Sequence, residues 1–398
     1  MTLQKKIFGN NTRLKTRAST PQFFDLSKNH DRRAIKKLLA QHKDMEICDD
    51  YREQLIELFG IKNPPAVFAK SFQRDLAKYL QVAEATMPLW QQGKWVFFPW
   101  SLCLVHILNN KEFQLVRTAR NKNLITEAEQ EKFYNAVVGI AGLSIGNSAA
   151  LAIVLQGGAH RIKLADFDRL ALSNLNRIRA GIHNLGLTKV EITARQIYEL
   201  NPYAQVTIFP EGLTEKNIEK FFHGPPALDI MVDELDNLSI KHLIRQYAQK
   251  KRVPVVMAAD NGDNGVVDIE RYDLNKKTPF FHGRIGKTGY QALAKLDKFG
   301  TGRLITKHVG LQNVTPRMQF SLSEMGKTIV SWPQLGGAAL LNGSVVAYCV
   351  RKIAIGQPLE KNRAIISLDE KLDTTYYKKR QISSRKKSAA AFKKIFNL

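Results

Sequence analysis

Cysteine is scarce in this sequence, and long hydrophobic runs are missing from it. The 398 residues include three cysteines, Cys48, Cys103 and Cys349, which lie far apart in the chain and form no C-x-x-C pair. This spacing argues against a disulfide framework and a zinc knuckle, and it fits a protein of the reducing cytoplasm. No apolar run approaches the ~20 residues that a membrane helix needs, so we predict no transmembrane segment.

Acidic residues are also in short supply. Lysine and arginine number 60 against 36 aspartates and glutamates, which gives a formal net charge of +24 at pH 7. Such a charge favours anionic partners such as nucleotides, RNA or a membrane surface, although a basic background with solvated tails accounts for it equally well. The length provides for two or three domains with ample core.

Changes of pattern along the chain predict its organisation. We expect a basic, flexible arm over residues 1–30 and a mostly helical α+β module of unknown role over 31–112, with a hairpin formed by Lys94–Trp100 and Leu102–Leu108. A nucleotide-binding domain follows over 113–360, in which the glycine-rich residues 272–335 form substrate-side loops. Residues 361–398 form a basic tail, which we expect to be flexible and solvated.

The stretch from Asn135 to Arg177 organises the rest of the chain. It predicts a strand over 136–140, a glycine-bearing turn, a helix over 148–156 and a strand over 161–165 that ends in Asp166-Phe167-Asp168. Nucleotide-binding α/β domains open with this unit, because glycines let the backbone approach a phosphate and the helix N-terminus offers it unpaired N–H groups. The glycines of the turn are Gly139, Gly142 and Gly146.

Further strands alternate with helices after this unit. The pattern predicts strands over 206–209, 229–233 and 253–258, separated by helices of ten to fourteen residues. Such an alternation is typical of a parallel sheet covered by helices on both faces. We therefore predict an α/β fold with a doubly wound, mainly parallel Rossmann-like sheet.

A second run of polar residues gives this domain a family resemblance. Asp166-Phe167-Asp168 is followed by Ser173-Asn174-Leu175-Asn176-Arg177, then by Lys189 and by the pair Asp236-Asn237. In this order the residues resemble the ThiF/MoeB and ubiquitin-activating-enzyme superfamily of adenylating enzymes, in which an ATP-binding loop precedes a D-x-D…S-N-L-x-R run, a lysine and an Asp-Asn pair. The resemblance covers roughly residues 117–273.

The resemblance implies a role for each matching position. Asp166 would hold the ribose hydroxyls of ATP, Asn174 and Arg177 would clamp the triphosphate, and Lys189 would neutralise charge near the α-phosphate. Asp236 would bind Mg²⁺, and Asp168 would lie near the metal. These residue types suit the chemistry, because pre-placed cations stabilise the charge that shifts among phosphate oxygens when pyrophosphate leaves.

The resemblance also implies partners. Arg120 matches an arginine that such enzymes lend to the phosphates of the other subunit, so a homodimer is expected. The substrate would be a carboxylate at the C-terminus of a ubiquitin-like carrier protein or of a peptide.

Each matching residue also has a purely structural alternative. Asp168 could cap a turn, Arg177 could form a surface ion pair, Lys189 could be an exposed helix residue, and Asp236 could be an N-cap.

The sequence departs from the family pattern in two places. In the glycine turn, Ser144 or Ile145 replaces a glycine, whichever way the turn is aligned. No cysteine follows the Asp-Asn pair except Cys349, which lies in an apolar helical stretch and is better explained as core. We therefore expect adenylation without a covalent thioester on this chain.

Four alternatives stay open from the sequence alone. Enzymes that dehydrate a threonylcarbamoyl group on tRNA also lack the thiol, and the positive charge suits RNA, so tRNA is a second candidate partner. Gly142-Leu-Ser144-Ile-Gly146 matches the nucleophile elbow of α/β-hydrolases, with Asp236 and either His282 or His308 downstream. A dinucleotide-binding oxidoreductase and a non-catalytic nucleotide-binding scaffold are the remaining two.

Overall fold

The computed structural model describes residues 19–359 and 361–396. These residues divide into two compact units. The first comprises the described residues up to Glu127 together with Tyr198–Tyr203, and the second comprises Ala128–Ile197 and the described residues from Ala204 onward. The boundary near Glu127 lies in the helix that precedes the predicted nucleotide-binding unit.

The first unit is a four-stranded sheet with helices. Its strands lie in the order β1-β3-β4-β2, with β2 parallel to β4 and the other pairs antiparallel. The strands are β1 (Gln22–Phe24), β2 (Glu46–Asp49), β3 (Lys94–Phe98) and β4 (Cys103–Ile107), and the helices are α1 (Asn29–Gln41), α2 (Tyr51–Lys62), α3 (Phe72–Thr86) and α4 (Asn110–Arg117). The predicted hairpin is therefore present as β3 and β4.

The expected basic arm over residues 1–30 is only partly described, because residues 1–18 lie outside the described part of the chain. Of the rest, β1 joins the edge of the sheet and Phe24 is buried in a core cluster with Trp95 and Phe97. The prediction of a flexible arm is thus wrong from Gln22 onward, because an apolar side chain on the strand is buried against the sheet.

The second unit contains the predicted nucleotide-binding sheet. Its seven strands lie in the order β11-β10-β9-β8-β5-β6-β7, and the five from β9 to β7 are mutually parallel. The strands are β5 (Val137–Ala141), β6 (Arg161–Ala165), β7 (Gln205–Phe209), β8 (Ile230–Asp233), β9 (Val255–Asn261), β10 (Asn264–Glu270) and β11 (Arg363–Ile366). The doubly wound, mainly parallel α/β fold is confirmed.

Helices cover both faces of this sheet. The α-helices from Glu127 onward are α5 (Glu127–Asn135), α6 (Ile145–Leu155), α7 (Lys189–Leu200), α8 (Ile218–His223), α9 (Leu238–Lys251), α10 (Tyr290–Ala294), α11 (Lys298–Val309), α12 (Pro316–Ser323), α13 (Gly336–Ala354), α14 (Leu368–Leu372) and α15 (Lys379–Phe396). Successive residues of β5 face opposite sides, as in any strand: Gly139 faces Phe221 of α8, whereas Ile140 faces Gly146 of α6.

A hairpin that the sequence analysis omitted extends the sheet at one side. β9 and β10 are antiparallel and are joined by Gly262-Asp263, with Gly262 at a φ of 68°. The dipeptide Asn261-Gly262 between two apolar runs is a hairpin signal, so this part of the sheet was predictable from the sequence.

The segments expected to be loops and a tail are largely structured. Residues 272–335 contain α10, α11 and α12 in place of a continuous run of loops. Residues 361–396, expected to form a flexible tail, supply β11 and α15, and Phe392 of α15 is buried beside Leu322 of α12. The apolar face of α15 explains the difference, because its burial favours an ordered helix over a solvated chain. None of the helices in the described ranges combines the length and hydropathy that crossing a bilayer requires.

Candidate active site

The turn between β5 and α6 brings backbone N–H groups to the carboxyl edge of the parallel strands. Gly142 has a φ of 86°, and a Cβ atom there would lie 2.3 Å from the carbonyl oxygen of Glu234, so only glycine fits. Its N–H donates to the carbonyl of Ala165 at 2.9 Å. The turn therefore lies against the ends of β6 and β8 and leads into the N-terminus of α6, a position suited to an anion.

The other two glycines of this stretch have a packing role in the structure. Gly139 lies inside β5, where a Cβ atom would lie 2.6 Å from Leu228 Cδ1 and 2.7 Å from Phe221 Cε1. Gly146 lies in the first turn of α6, 3.0 Å from Ile140 Cγ2 by the same measure. Of the three glycines predicted to contact nucleotide, the structure places only Gly142 in the turn itself.

Asp166, Asp168 and Lys189 form a cluster directly after β6. The carboxylate of Asp166 is buried and accepts hydrogen bonds from the N–H of Leu143 at 2.7 Å and of Asp168 at 2.8 Å. The ammonium of Lys189 donates to Asp168 Oδ2 at 2.7 Å and lies 3.9 Å from Asp166 Oδ2. Burial raises the pKa of Asp166, and Lys189 and the two N–H groups oppose that rise. The cluster fixes the turn and leaves Asp168 half-exposed at the rim.

Arg177 is held in a defined orientation over the turn. Its Nε donates to Ser144 Oγ at 2.8 Å, and its Nη1 donates to Asn176 Oδ1 at 3.0 Å and to the carbonyl of Ser173 at 3.3 Å. Partial burial lowers the pKa of Arg177, whereas the nearby carboxylates of Asp236 and Asp260 raise it. A guanidinium fixed by two of its nitrogens is already oriented for an anion and requires little reorganisation to bind one.

The segment around Asn174 also joins a part of the chain that is distant in sequence. The side chain of Asn174 accepts a hydrogen bond from the N–H of Ala171 at 3.0 Å, which closes the local turn. Asn176 Nδ2 donates to the carbonyl of Gln334 at 2.9 Å. Gly336 lies so close to this segment that a Cβ atom would be 2.3 Å from the carbonyl of Asn176. The start of α13 is thus a wall of the site.

Asp236 lies three residues after β8 and is open to solvent. Within the described part of the chain its carboxylate has no hydrogen bond or ion pair. It lies at a recess crowded by protein atoms, which raises its pKa, and Lys241, Lys189 and Arg177 oppose that rise. Asp236 is therefore an exposed, uncommitted acid close to cations.

The recess beside Asp236 has a cavity volume of about 140 Å³. Its polar lining is formed by Ser144, Glu234, Asp236, Lys241, Asp260, His308 and Gln334, and its apolar lining includes side chains from β9, α9, α11, α12 and the residues before α13. Ser144, Asp236 and Asp260 lie at or just beyond the ends of β5, β8 and β9, where parallel strands place ligand sites.

Asp260, at the end of β9, is a site residue that the sequence analysis missed. It accepts hydrogen bonds from Asn342 Nδ2 at 2.6 Å and from Gln334 Nε2 at 3.3 Å. Burial nevertheless raises its pKa to about 6. Its place just before Asn261-Gly262, at the end of a predicted strand, was the available signal.

Arg120 lies in the other compact unit from these residues. It is exposed in a short 3-10 helix, Ala119–Asn121. Its expected contribution to the phosphates of a partner subunit remains a prediction.

The hydrolase alternative is not supported by the geometry. Ser144 Oγ accepts a hydrogen bond from the guanidinium of Arg177, whereas a nucleophilic serine needs an imidazole beside it. His308 Nε2 bonds Asp268 Oδ2 at 2.8 Å, and His282 Nε2 bonds the carbonyl of Ile269 at 3.0 Å. Among the described residues, neither histidine bonds Ser144.

Comparisons with known proteins identify a matching family and several similar sequences. A model of the ThiF family matches residues 118–386. An uncharacterized protein of Mycobacterium tuberculosis is 35% identical over 328 residues, which are 82% of this chain and 45% of that protein. The tRNA threonylcarbamoyladenosine dehydratase of Escherichia coli is 31% identical over 144 residues, 35% of this chain and 51% of that enzyme.

The molybdopterin-synthase adenylyltransferase of Haemophilus influenzae is 28% identical over 145 residues, 36% of this chain and 56% of that enzyme. The chain thus spans about half the length of the curated relatives that it matches.

Proposed function

The chain belongs to the ThiF family, and from this premise we propose that it uses ATP to activate a carboxylate as an acyl-adenylate, with release of pyrophosphate. The observation that carries the proposal is the placement of Arg177 beside the turn before α6 and within electrostatic reach of Asp236 and Asp260. Cationic and anionic groups thus gather at one edge of a parallel sheet, as binding of a metal-chelated nucleotide requires.

In this proposal each group at the carboxyl edge of the sheet contacts one part of ATP. The N–H groups at the start of α6 and the guanidinium of Arg177 receive the phosphates, with Asn174 beside them. Asp166 accepts hydrogen bonds from the ribose, for which each carboxylate oxygen still has a free lone pair. Lys189 supplies positive charge from its position between Asp166 and Asp168.

The acidic residues at the carboxyl edge of the parallel strands suit the kind of Mg²⁺ binding that is found in nucleotide-dependent enzymes. Among the described residues, no group of three or more His, Cys, Asp or Glu side chains is placed to hold a metal ion alone. Mg²⁺ commonly takes one or two carboxylates, and the phosphates and water fill the other positions. Asp236 fits this role because its carboxylate is exposed and uncommitted, whereas Asp168 is engaged by Lys189. Bound Mg²⁺ would supply charge neutralisation at the phosphates.

The chemical step needs no general base from the protein. An ionised carboxylate oxygen of the substrate attacks the α-phosphorus, a new P–O bond forms, and the bond to the bridging oxygen breaks as pyrophosphate leaves with the electron pair. Negative charge increases on the departing pyrophosphate, where the guanidinium of Arg177 would stabilise it.

The activated acyl group is not passed to a thiol of the site. Cys349 is buried in α13, and burial raises its pKa to about 11, so the thiolate needed for attack is not formed near neutral pH. Cys48 and Cys103 belong to the other compact unit. We therefore propose that the acyl-adenylate is released or passed to an external nucleophile.

The substrate we propose first is the C-terminal carboxylate of a small carrier protein or of a peptide, activated by a homodimer to which Arg120 contributes. A dehydratase acting on a threonylcarbamoyl group of tRNA is the second candidate, favoured by the similarity to the E. coli enzyme and by the charge of +24. We propose the cytoplasm as the compartment, because the described cysteines are free thiols.

ATP–pyrophosphate exchange tests the proposal and separates the substrates. We would measure exchange with Mg²⁺ and no addition, with carrier proteins or peptides that end in a free carboxylate, and with tRNA. Exchange that depends on one of these identifies the substrate class, and Asp236→Asn should abolish it while Glu219→Gln, which removes an exposed charge from α8, should not. A protein that fails to bind ATP in the presence of Mg²⁺ would contradict the proposal.

A further inference from the structure

A second cavity, which shares only His308 with the recess beside Asp236, is lined by positive charge. It has a volume of about 700 Å³, within the usual range of ligand sites. Arg284, Arg303, Lys307, Arg363 and Lys393 line it together with His308, and none of its lining residues is acidic. We call this cavity the basic groove.

The floor of the basic groove is rigid. Arg363 donates to both carboxylate oxygens of the buried Asp268, at 2.8 and 2.6 Å, and to the carbonyls of His308 and Val309. Arg284 donates to Asp268 Oδ1 at 3.0 Å. One carboxylate is thus shared by two guanidinium groups, so the floor keeps a net positive charge in a fixed position.

The walls of the basic groove carry cations that have no counter-charge among the described residues. Arg303 and Lys307 of α11 and Lys393 of α15 are exposed, and none of the three forms an ion pair within the part of the chain that the structure describes. Like charges that lie close together without a counter-charge repel one another, and this repulsion costs stability. An anion that bridges these side chains would relieve the repulsion, and we expect this relief to supply most of its binding free energy.

The charge continues beyond the basic groove along α15. Lys379, Lys386 and Lys393 are seven residues apart, lie on one face of this helix, and are all exposed. Fourteen residues of helix span roughly 21 Å. A track of this length suits an extended polyanion better than a single phosphate.

An aromatic side chain accompanies the cations. Phe299 lies one helical turn before Arg303 on the same face of α11, and 57% of its surface is exposed. Exposed aromatic rings beside arginines are the feature by which proteins bind single-stranded nucleic acid, because unpaired bases stack on the ring while cations contact the backbone.

From these features we propose that the basic groove binds single-stranded nucleic acid, with Arg303, Lys307 and Lys393 on its phosphates and Phe299 stacked on a base. The inference does not rest on adenylation. The two sites are nevertheless adjacent, because α11 gives Ile305 and Val309 to the cavity beside Asp236 and gives Arg303 and Lys307 to the basic groove.

Fluorescence anisotropy with the full chain and no ATP tests the proposal. The probes are labelled oligo(U) and oligo(dT) of about 20 nucleotides, longer than the roughly 4–16 nucleotides that a single-strand-binding fold covers. We expect R303E/K307E/K393E to bind at least about tenfold more weakly, with the slope of log affinity against log salt reduced by about 2, since each lost phosphate contact accounts for about 0.7.

The matched control is K216E/K220E/K250E, which changes the net charge equally at exposed lysines outside the basic groove and should keep its affinity within about twofold. Phe299→Ala should weaken binding about tenfold without changing the salt slope. Comparison of the two probes tells whether the strand is RNA or DNA. If the triple groove variant fails to fold by circular dichroism, Arg303→Gln with Lys307→Gln replaces it.

Three results would overturn the inference. One is equal loss of affinity in the control triple variant, which would mean that overall charge decides binding. Another is unchanged binding in the folded groove variant. The last is binding to phosphatidylserine vesicles that depends on the groove residues while the oligonucleotides fail to bind, which would assign the surface to a membrane.

Discussion

Two clusters of acids and cations lie in the second unit, and they differ in whether water reaches them. In the sealed cluster, Asp233 of β8 pairs with Lys241 at 3.2 Å and with Arg245, and Arg245 Nε also lies 2.8 Å from Glu270. Asp233 and Arg245 have no exposed surface. In the open cluster, formed by Arg177, Asp236 and Asp260, groups of opposite charge approach each other without a direct ion pair.

This difference in solvent access indicates that the sealed cluster stabilises the fold and that the open cluster is suited to binding a ligand. Burial alone would lower the pKa of Arg245, but Glu270 and Asp233 raise it above its ordinary value, so the sealed cluster stays charged. In the open cluster, crowding by protein atoms raises the pKa of the exposed Asp236, and burial raises that of Asp260 and lowers that of Arg177, so each charge gains from an added partner. Perturbed, incompletely paired groups in a recess are typical of a functional site.

Breaking the sealed cluster should have the largest effect. Arg245→Ala leaves Asp233 and Glu270 buried without their cation, and we expect unfolding to become easier by about 3–5 kcal/mol, measured by denaturant titration. Lys250→Ala, at an exposed position of the same helix, should change the stability by less than about 0.5 kcal/mol. Equal stability of the two variants would show that the sealed cluster does not hold the fold.

Breaking the open cluster should affect activity and spare the fold. Arg177→Ala removes a fixed cation from the phosphates, and we expect the rate of ATP–pyrophosphate exchange to fall by about 10²–10³. The free energy of unfolding should change little, because the side chain is half-exposed. A variant that loses stability but keeps its exchange rate would reverse the assignment of the two clusters.

The titration of Asp260 should appear in the pH dependence of stability. Its pKa rises from an ordinary 3.8 to about 6 in the fold, so the unfolded chain loses this proton first as the pH rises. The free energy of unfolding should therefore fall between about pH 4 and pH 6, by up to about 3 kcal/mol. Asp260→Asn should flatten this part of the profile, whereas Glu219→Gln should leave it as in the parent protein. A profile for Asp260→Asn that matches the parent would mean that Asp260 ionises normally.

The smallest effect should come from Ser144→Ala. Loss of one hydrogen bond to Arg177 Nε should slow exchange roughly 3- to 10-fold, through a less fixed guanidinium. Complete loss of activity would instead favour a nucleophilic serine. Ser173→Ala is the matched control, because Arg177 contacts only the backbone carbonyl of that residue.

Much of the fold was predictable from the sequence, because its signals are local. The strands predicted over residues 161–165, 206–209 and 229–233 lie within one residue of their observed bounds. The edge strand β11 and the packed helix α15 were not predicted. These elements depend on partners that are remote in sequence, such as Leu322 for Phe392, and periodicity within a short window cannot reveal them.

The residues of the candidate site also differ in whether the sequence alone could predict them. Asp166, Asn174 and Arg177 stood out because they lie within one short stretch after a predicted strand. Asp260 and Gln334 did not, because they join the site only through the hydrogen bonds from Asn342 and Asn176 that the folded chain makes possible.

Asp233 and Asp236 mark the limit of what the sequence alone determined. The sequence alone determined that three acids, Asp233, Glu234 and Asp236, end or follow the fourth predicted strand, because the apolar residues before them form a buried strand. Only the tertiary structure decided that Asp233 faces Arg245 and Lys241 in a closed interior while Asp236 stays open to solvent. The physical reason is that the environment of a carboxylate depends on which cations α9 brings to it through long-range packing, and that environment decides whether its charge holds the fold or is free to bind a ligand.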